Sequence, residues 1–173
     1  MEDIIEILKF TVPSLVTGGV VYFIFQSFYK KDERKMLVEL KTETTKITLP
    51  VRLQAYERLV LLMERISPGS LVMRVNVQGV TARVLHAELL KNLRSEFDHN
   101  ITQQVYVSGT AWESVKNAKE ETIKLVNYAA EHVGEHAKGT DLAQTLLELT
   151  MKLDNLPTQV ACNILREEAS RLY

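Results

Sequence analysis

The chain has 173 residues, with 21 Lys and Arg against 22 Asp and Glu, a single Cys, seven Gly and four Pro. That is enough chain for one domain with an ordinary core, and its 46% hydrophobic and 25% charged residues exclude disordered, collagenous and disulfide-stapled classes. The formal net charge of −1 argues against a nucleic-acid partner, and a lone Cys162 cannot make an internal disulfide.

In chain order, the first element is an uncharged run of twenty residues, FTVPSLVTGGVVYFIFQSFY at 10–29. As a helix it would be roughly 30 Å long, the thickness of a bilayer's hydrocarbon core. Thr11, Ser14, Thr17 and Gln26 temper it, Pro13 and the Gly18-Gly19 pair weaken it, and Tyr22, Phe23, Phe25, Phe28 and Tyr29 suit a headgroup boundary. Residues 1–29 are therefore expected to hold an N-terminal segment and a transmembrane helix, with a buried core helix as the alternative. A cleaved signal peptide does not fit, because the start is acidic (Glu2, Asp3, Glu6) and no small-residue cleavage site follows. Lys30, Lys31, Arg34 and Lys35 come after the run, which predicts a periplasmic N-terminus and a cytoplasmic body. That short basic cluster is also the expected contact with anionic lipid. Ser14 and Gly18 have the small-xxx-small spacing that permits close packing of membrane helices.

Residues 30–47 read as a charged connector whose TETT stretch should loosen any helix continuing from the span. From 48 to 173 the pattern predicts an α-helical bundle of about five helices, so the fold class is all-α. Thr48 with Pro50 looks like a helix start, and Leu53, Tyr56, Leu59, Leu62, Met63 and Ile66 give that helix a wide apolar face until Ser67-Pro68-Gly69. Thr81 caps a second helix with Val80 and Leu85 at the staple positions, running to about His99. A third starts at Ser108 and carries Trp112, Val115, Ala118, Thr122, Val126, Ala129 and Val133 on one stripe. Thr140 is expected to cap a fourth, and Pro157 to open the last, which reaches about Leu172. Met73, Val75 and Val77, and likewise Val105 and Val107, alternate with polar neighbours, so each run reads either as a short strand or as a connector.

Several stretches resemble a known family: LPVRLQAYERL at 49–59, ERISP at 64–68, ELL at 88–90, EFDHN at 96–100, QQVY at 103–106, AWE at 111–113 and NAKEE at 117–121. They are similar to uncharacterised, single-pass membrane-anchored proteins of Bacteroidota with a helical cytoplasmic domain. The likeness covers most of the chain from the span to about residue 130. It implies a bacterial inner-membrane setting, and it carries over no catalytic residue because the family has no assigned activity.

For chemistry, the sharpest local pattern is His132-Val133-Gly134-Glu135-His136, an H-x-x-E-H match in which two His one helical turn apart could hold zinc and the Glu could act as base. Glu148, Glu167 and Glu168 are the available third ligands. The competing reading is a solvated helix end whose His residues complement the dipole, which Gly134 and Gly139 favour. His86, in register with Leu90, Leu93 and Phe97, reads as a core-margin histidine, and Cys162 as a small buried apolar residue. No phosphate loop, nucleophile elbow or paired-Cys zinc spacing occurs.

Gln54, Glu57, Arg58, Glu64 and Arg65 share the first bundle helix with its apolar face. Gln54, Glu57, Arg58 and Arg65 are the candidate interaction residues, against the plainer reading of a solvated edge. The expectation is a membrane-tethered interaction or accessory subunit without enzymatic activity, cofactor or metal. Its partners would be membrane lipid and either an unknown protein or a second copy, and not nucleic acid. The alternative is a small zinc hydrolase at His132, Glu135 and His136.

Overall fold

The computed structural model describes residues 2–75, 79–134 and 136–172, including the side chains of these residues except 2–14, 27–38, 40 and 41. Its elements are α1 (Glu2–Ile66), α2 (Pro68–Arg74), α3 (Ala82–Asn100), a 3-10 turn (Ile101–Val105), α4 (Gly109–Val133), α5 (Gly139–Met151) and α6 (Pro157–Ser170). The fold is all-α: among the described residues there is no strand, only an isolated antiparallel bridge between Thr81 and Lys138. The chain divides into two compact units, Met1–Thr48 and Leu49–Tyr173.

In the first unit the backbone is helical throughout its described residues. Residues 15–26 are uncharged, and all of them are exposed. Among the described residues no helix is long and apolar enough to cross a membrane. The two ends of the expected span, 10–14 and 27–29, have side chains outside the described residues.

The helix start expected at Thr48 is corrected by the structure, since α1 continues through the TETT stretch and Pro50. Thr48 Oγ1 donates to the Thr44 carbonyl at 2.9 Å, one turn back, so a residue that could cap is satisfied inside the helix instead. Pro50 has no N–H to donate to Lys46, and it sits two residues into the second unit.

The second unit is built around α4. Its buried stripe Ala111, Val115, Ala118, Thr122, Val126 and Ala129 is rich in small side chains, and α4 packs on α3, α5 and α6. Facing it are Leu85, Leu89, Leu93 and Phe97 of α3, Leu142 and Leu146 of α5, and Ala161, Cys162 and Leu165 of α6. Tyr56, Leu59, Leu62, Met63 and Ile66 of α1 complete the core with Leu71 and Val72 of α2. Trp112 sits at the margin, stacked on Phe97 with ring centroids 5.5 Å apart, and Lys119 Nζ lies 4.5 Å over the other ring contact, Phe97.

Local signals set three helix starts as expected. Thr81 Oγ1 accepts from Val84 N at 3.4 Å, Ser108 Oγ accepts from Ala111 N at 3.0 Å, and Pro157 opens α6. The α5 start differs: Lys138, not Thr140, holds the cap position, and its N–H donates to the Asp141 carboxylate at 3.2 Å. The reason is tertiary. Gly139 N donates to Val80 O and Ala82 N to Ala137 O, both at 2.8 Å, which fixes the backbone one residue ahead of Thr140.

The two ambiguous runs are also settled where they are described. Met73 belongs to α2, Val75 is its extended C-cap, and Val77 lies outside the described residues. Val105 ends the 3-10 turn, and Val107 is a connector.

Candidate functional site

The α1 helix has two faces in the second unit. Tyr56, Leu59, Leu62, Met63 and Ile66 point into the core, whereas Gln54, Glu57, Arg58, Glu64 and Arg65 are exposed. The four candidate interaction residues do not act as one group. Arg65 reaches across to Glu96 on α3 at 3.2 Å, and Arg74 of α2 meets the same carboxylate at 2.5 Å. The Glu96 side chain is only 15% exposed, so one sheltered carboxylate receives two guanidinium groups and joins three helices. Arg65 therefore has a structural duty. Gln54, Glu57 and Arg58 keep the outer face, where Val51 and Leu61 are exposed beside them.

A second polar knot, which the sequence did not flag, centres on Glu168 of α6. Tyr56 Oη donates to Glu168 Oε2 at 3.0 Å and Ser108 Oγ donates to Oε1 at 2.5 Å. Ser108 simultaneously caps α4, so the carboxylate reaches the positive end of that helix through its capping hydroxyl. Nearby, Arg52 Nε donates to the Tyr106 carbonyl at 3.1 Å. Burial pushes the Tyr56 phenol above its ordinary value, and the Glu168 hydrogen bond and negative charge add to this against a smaller opposing effect of Arg52. The knot unites residues from 56 to 168 without any sequence periodicity to announce it. The one legible hint was a capping Ser108 with Ala111, not an acid, three residues on.

The zinc pattern does not form a helical pair. The α4 helix ends at Val133, and Gly134 takes a left-handed φ of 83°, so His136 lies beyond the helix that carries His132. His132 Nδ1 donates to the Tyr128 carbonyl at 2.8 Å, and its ring packs 4.0 Å from that of Tyr128. Glu135 lies outside the described residues. The third-ligand candidates are occupied: Glu148 accepts from Gln144 at 2.8 Å, Glu167 pairs with Arg171, and Glu168 holds the knot. Among the described residues no three His, Cys, Asp or Glu side chains are placed to hold a metal ion.

His86 is half-buried and donates from Nε2 to Asn127 Oδ1 at 2.8 Å, a tie between α3 and α4. Cys162 is buried, with Sγ 3.9 Å from the Val60 carbonyl. Its thiol is pushed up, chiefly by burial and secondly by the Glu64 charge, which keeps it protonated and a poor nucleophile at neutral pH.

An open groove of about 790 Å³ runs along the exposed side of α3 past Leu90 and Arg94. A smaller one of about 300 Å³ lies between the start of α3 and the end of α4, bordered by Arg83, His86, Asn127 and Glu131. The first places Ser95 Oγ 3.5 Å from His99 Nδ1, but that nitrogen donates to the Ser95 carbonyl at 2.6 Å and so cannot take a proton from the hydroxyl.

In the first unit Gly18 is exposed, and a Cβ built on it would meet nothing within 4 Å. The side chains of Ser14, Lys30, Lys31, Arg34 and Lys35 lie outside the described residues.

No curated protein and no solved structure matches this chain. A family of unknown function, DUF7935, matches residues 2–172, nearly the whole length that carries the bundle, the knot and the outer face of α1. By that match the chain belongs to the DUF7935 family.

Proposed function

We propose that this protein is a membrane-tethered, non-enzymatic interaction or accessory subunit at the bacterial inner membrane. Its first unit enters the bilayer, and its helical second unit lies in the cytoplasm. One observation carries the reading. Over residues 15–26 the helix is uncharged all round, and its large apolar side chains from Leu15 to Phe25 are 48–74% exposed. A helix that is apolar on every side is at home only among other apolar groups, in a core or in lipid. The backbone on either side of this stretch is helical as well, and the uncharged sequence extends over 10–29, which is long enough to span.

Orientation follows from charge. Glu2, Asp3 and Glu6 precede the run and Lys30, Lys31, Arg34 and Lys35 follow it, so the positive-inside rule leaves the N-terminus periplasmic. The bacterial setting rests on the resemblance in the sequence. The non-enzymatic role is supported by polar knots that tie helices together and by an outer α1 face rich in hydrogen-bonding and charged groups.

A test is to fuse topology reporters after Tyr173 in a bacterial host and to fractionate the cells. The fusion should sediment with membranes, resist carbonate extraction and be active only as a cytoplasmic reporter. Recovery of the whole chain in the soluble fraction, or periplasmic activity at the C-terminus, would overturn the proposal.

A further inference from the structure

The outer face of α1 in the second unit carries a pattern that the bundle does not consume. Gln54 and Leu61 are two helical turns apart and fall on one line, and Leu61 is 54% exposed. A single exposed apolar residue is ordinary on a protein surface, and the charges around this one are what give it meaning. At about 100° per residue, Glu57 and Glu64 run along one edge of the line, and Arg58 and Arg65 along the other. The two edges are opposite in sign and stand at the same height.

Such a face is complementary to itself in only one sense. Laid parallel to a second copy about a two-fold axis, the acidic edge of each helix meets the basic edge of the other. Laid antiparallel, acid meets acid and base meets base. Glu64 and Arg65 already pair within the chain, with Arg166 at 3.5 Å and Glu96 at 3.2 Å, so Glu57 and Arg58 supply the contact between copies.

We propose that this face binds a second copy of the chain in a parallel, two-fold pair. Gln54 and Leu61 form the seam, and Glu57 of each copy lies against Arg58 of the other. The inference deepens the membrane reading and rests on it in one respect. Two copies that insert through the same N-terminal helix are held on the same side of one membrane. Confinement to one membrane also raises their effective concentration, so a short seam suffices. Gln54 meets its own counterpart across the seam, where an amide-to-amide hydrogen bond fixes the register, as single polar seam residues do in coiled coils.

The test uses the full chain reconstituted in vesicles of phosphatidylcholine and phosphatidylglycerol, and in parallel the chain prepared without lipid. Gln54→Cys and Leu61→Cys are each oxidised under mild conditions, with Lys124→Cys, on the exposed side of α4, as the control position. The native Cys162 is buried and stays silent in all three. Each seam variant is expected to form a disulfide dimer with itself, several-fold above the control. Glu57→Arg or Arg58→Glu alone should lower the Leu61→Cys dimer several-fold, and the two together should restore it.

Absence of dimer in vesicles that contain inserted chain overturns the pairing while sparing the membrane reading. Cross-links formed only when Gln54→Cys and Leu61→Cys are mixed indicate antiparallel copies and also overturn it. Charge variants that leave the dimer unchanged do the same. A self-linked dimer that forms in solution, from a chain that does not enter vesicles, supports the pairing and removes the membrane reading.

Discussion

At the scale of single residues the structure depends on a few sheltered acids more than on its many surface pairs. Lys116 with Glu113 and Lys124 with Glu121 lie on exposed helix faces, where solvent screening leaves such pairs little weight. Glu168 instead receives two hydroxyl hydrogen bonds at a junction of three helices. Replacing it by Ala leaves Tyr56 Oη and Ser108 Oγ without that acceptor and should cost about 1–3 kcal/mol in urea denaturation. Glu168→Gln keeps one acceptor oxygen and should cost less. Tyr56 also gives the protein an alkaline limit. Its phenol is raised above the ordinary value of 10.0, so the folded state holds that proton more tightly than the unfolded chain does. The resulting stability is complete below about pH 10 and is lost as pH rises through the raised folded value. The buried Cys162 thiol, raised from 9.0, acts in the same direction from a lower pH. Melting temperatures measured from pH 7 to 11 should fall at the alkaline end for the native protein. Tyr56→Phe should start lower, by the loss of its bond to Glu168, and decline less steeply. An equal slope in both proteins would remove Tyr56 from the account.

At the scale of elements, what could be read from the sequence was whatever is decided within a few residues. Thr81, Ser108 and Pro157 act on amides or torsions of their own first turns, so three helix starts were legible from the local sequence. Thr48 with Pro50 carries the same local signature and means something else, because the chain before it is already helical and the hydroxyl finds a carbonyl one turn back. The start of α5 was displaced by backbone hydrogen bonds with Val80 and Ala82, more than fifty positions away, a distance no window of sequence covers. The same limit hid the Glu168 knot, whereas the outer face of α1 was visible because helical periodicity alone predicts it. The apolar face of α1 lends itself to a direct measurement. Leu59 is wholly buried mid-face, and Leu59→Ala should destabilise the bundle by about 2–5 kcal/mol. The α4 stripe invites the opposite change. Ala118 is buried on the helix that packs on α3, α5 and α6, so Ala118→Leu should cost about 1–3 kcal/mol through overpacking. Chemical denaturation of the two variants separates a cavity from a clash, since both should retain native helicity below the transition.

At the scale of the whole molecule, the buried core among the described residues is drawn from residues 55–165, all within the second unit. A chain beginning at Leu49 should therefore fold alone, giving a helical far-UV spectrum and one cooperative thermal transition. Aggregation or a broad, non-cooperative melt would show that the core needs something from outside this unit. Within it, the two backbone hydrogen bonds that join the turn before α3 to the turn after α4 close the open end of a helical hairpin. Helix hairpins usually fray from that end, because only a loop at the other end holds the pair together. Here the Ala82 and Gly139 amides each donate across the same junction, so neither can meet solvent deuterons unless the strap as a whole parts. Their exchange should be slow and matched, although 57 positions of chain separate them. Protection at one site without the other would mean that α3 and α5 open independently. Matched protection would make the segment from Val80 to Gly139 a single opening unit, reported by two amides that no helix of its own protects.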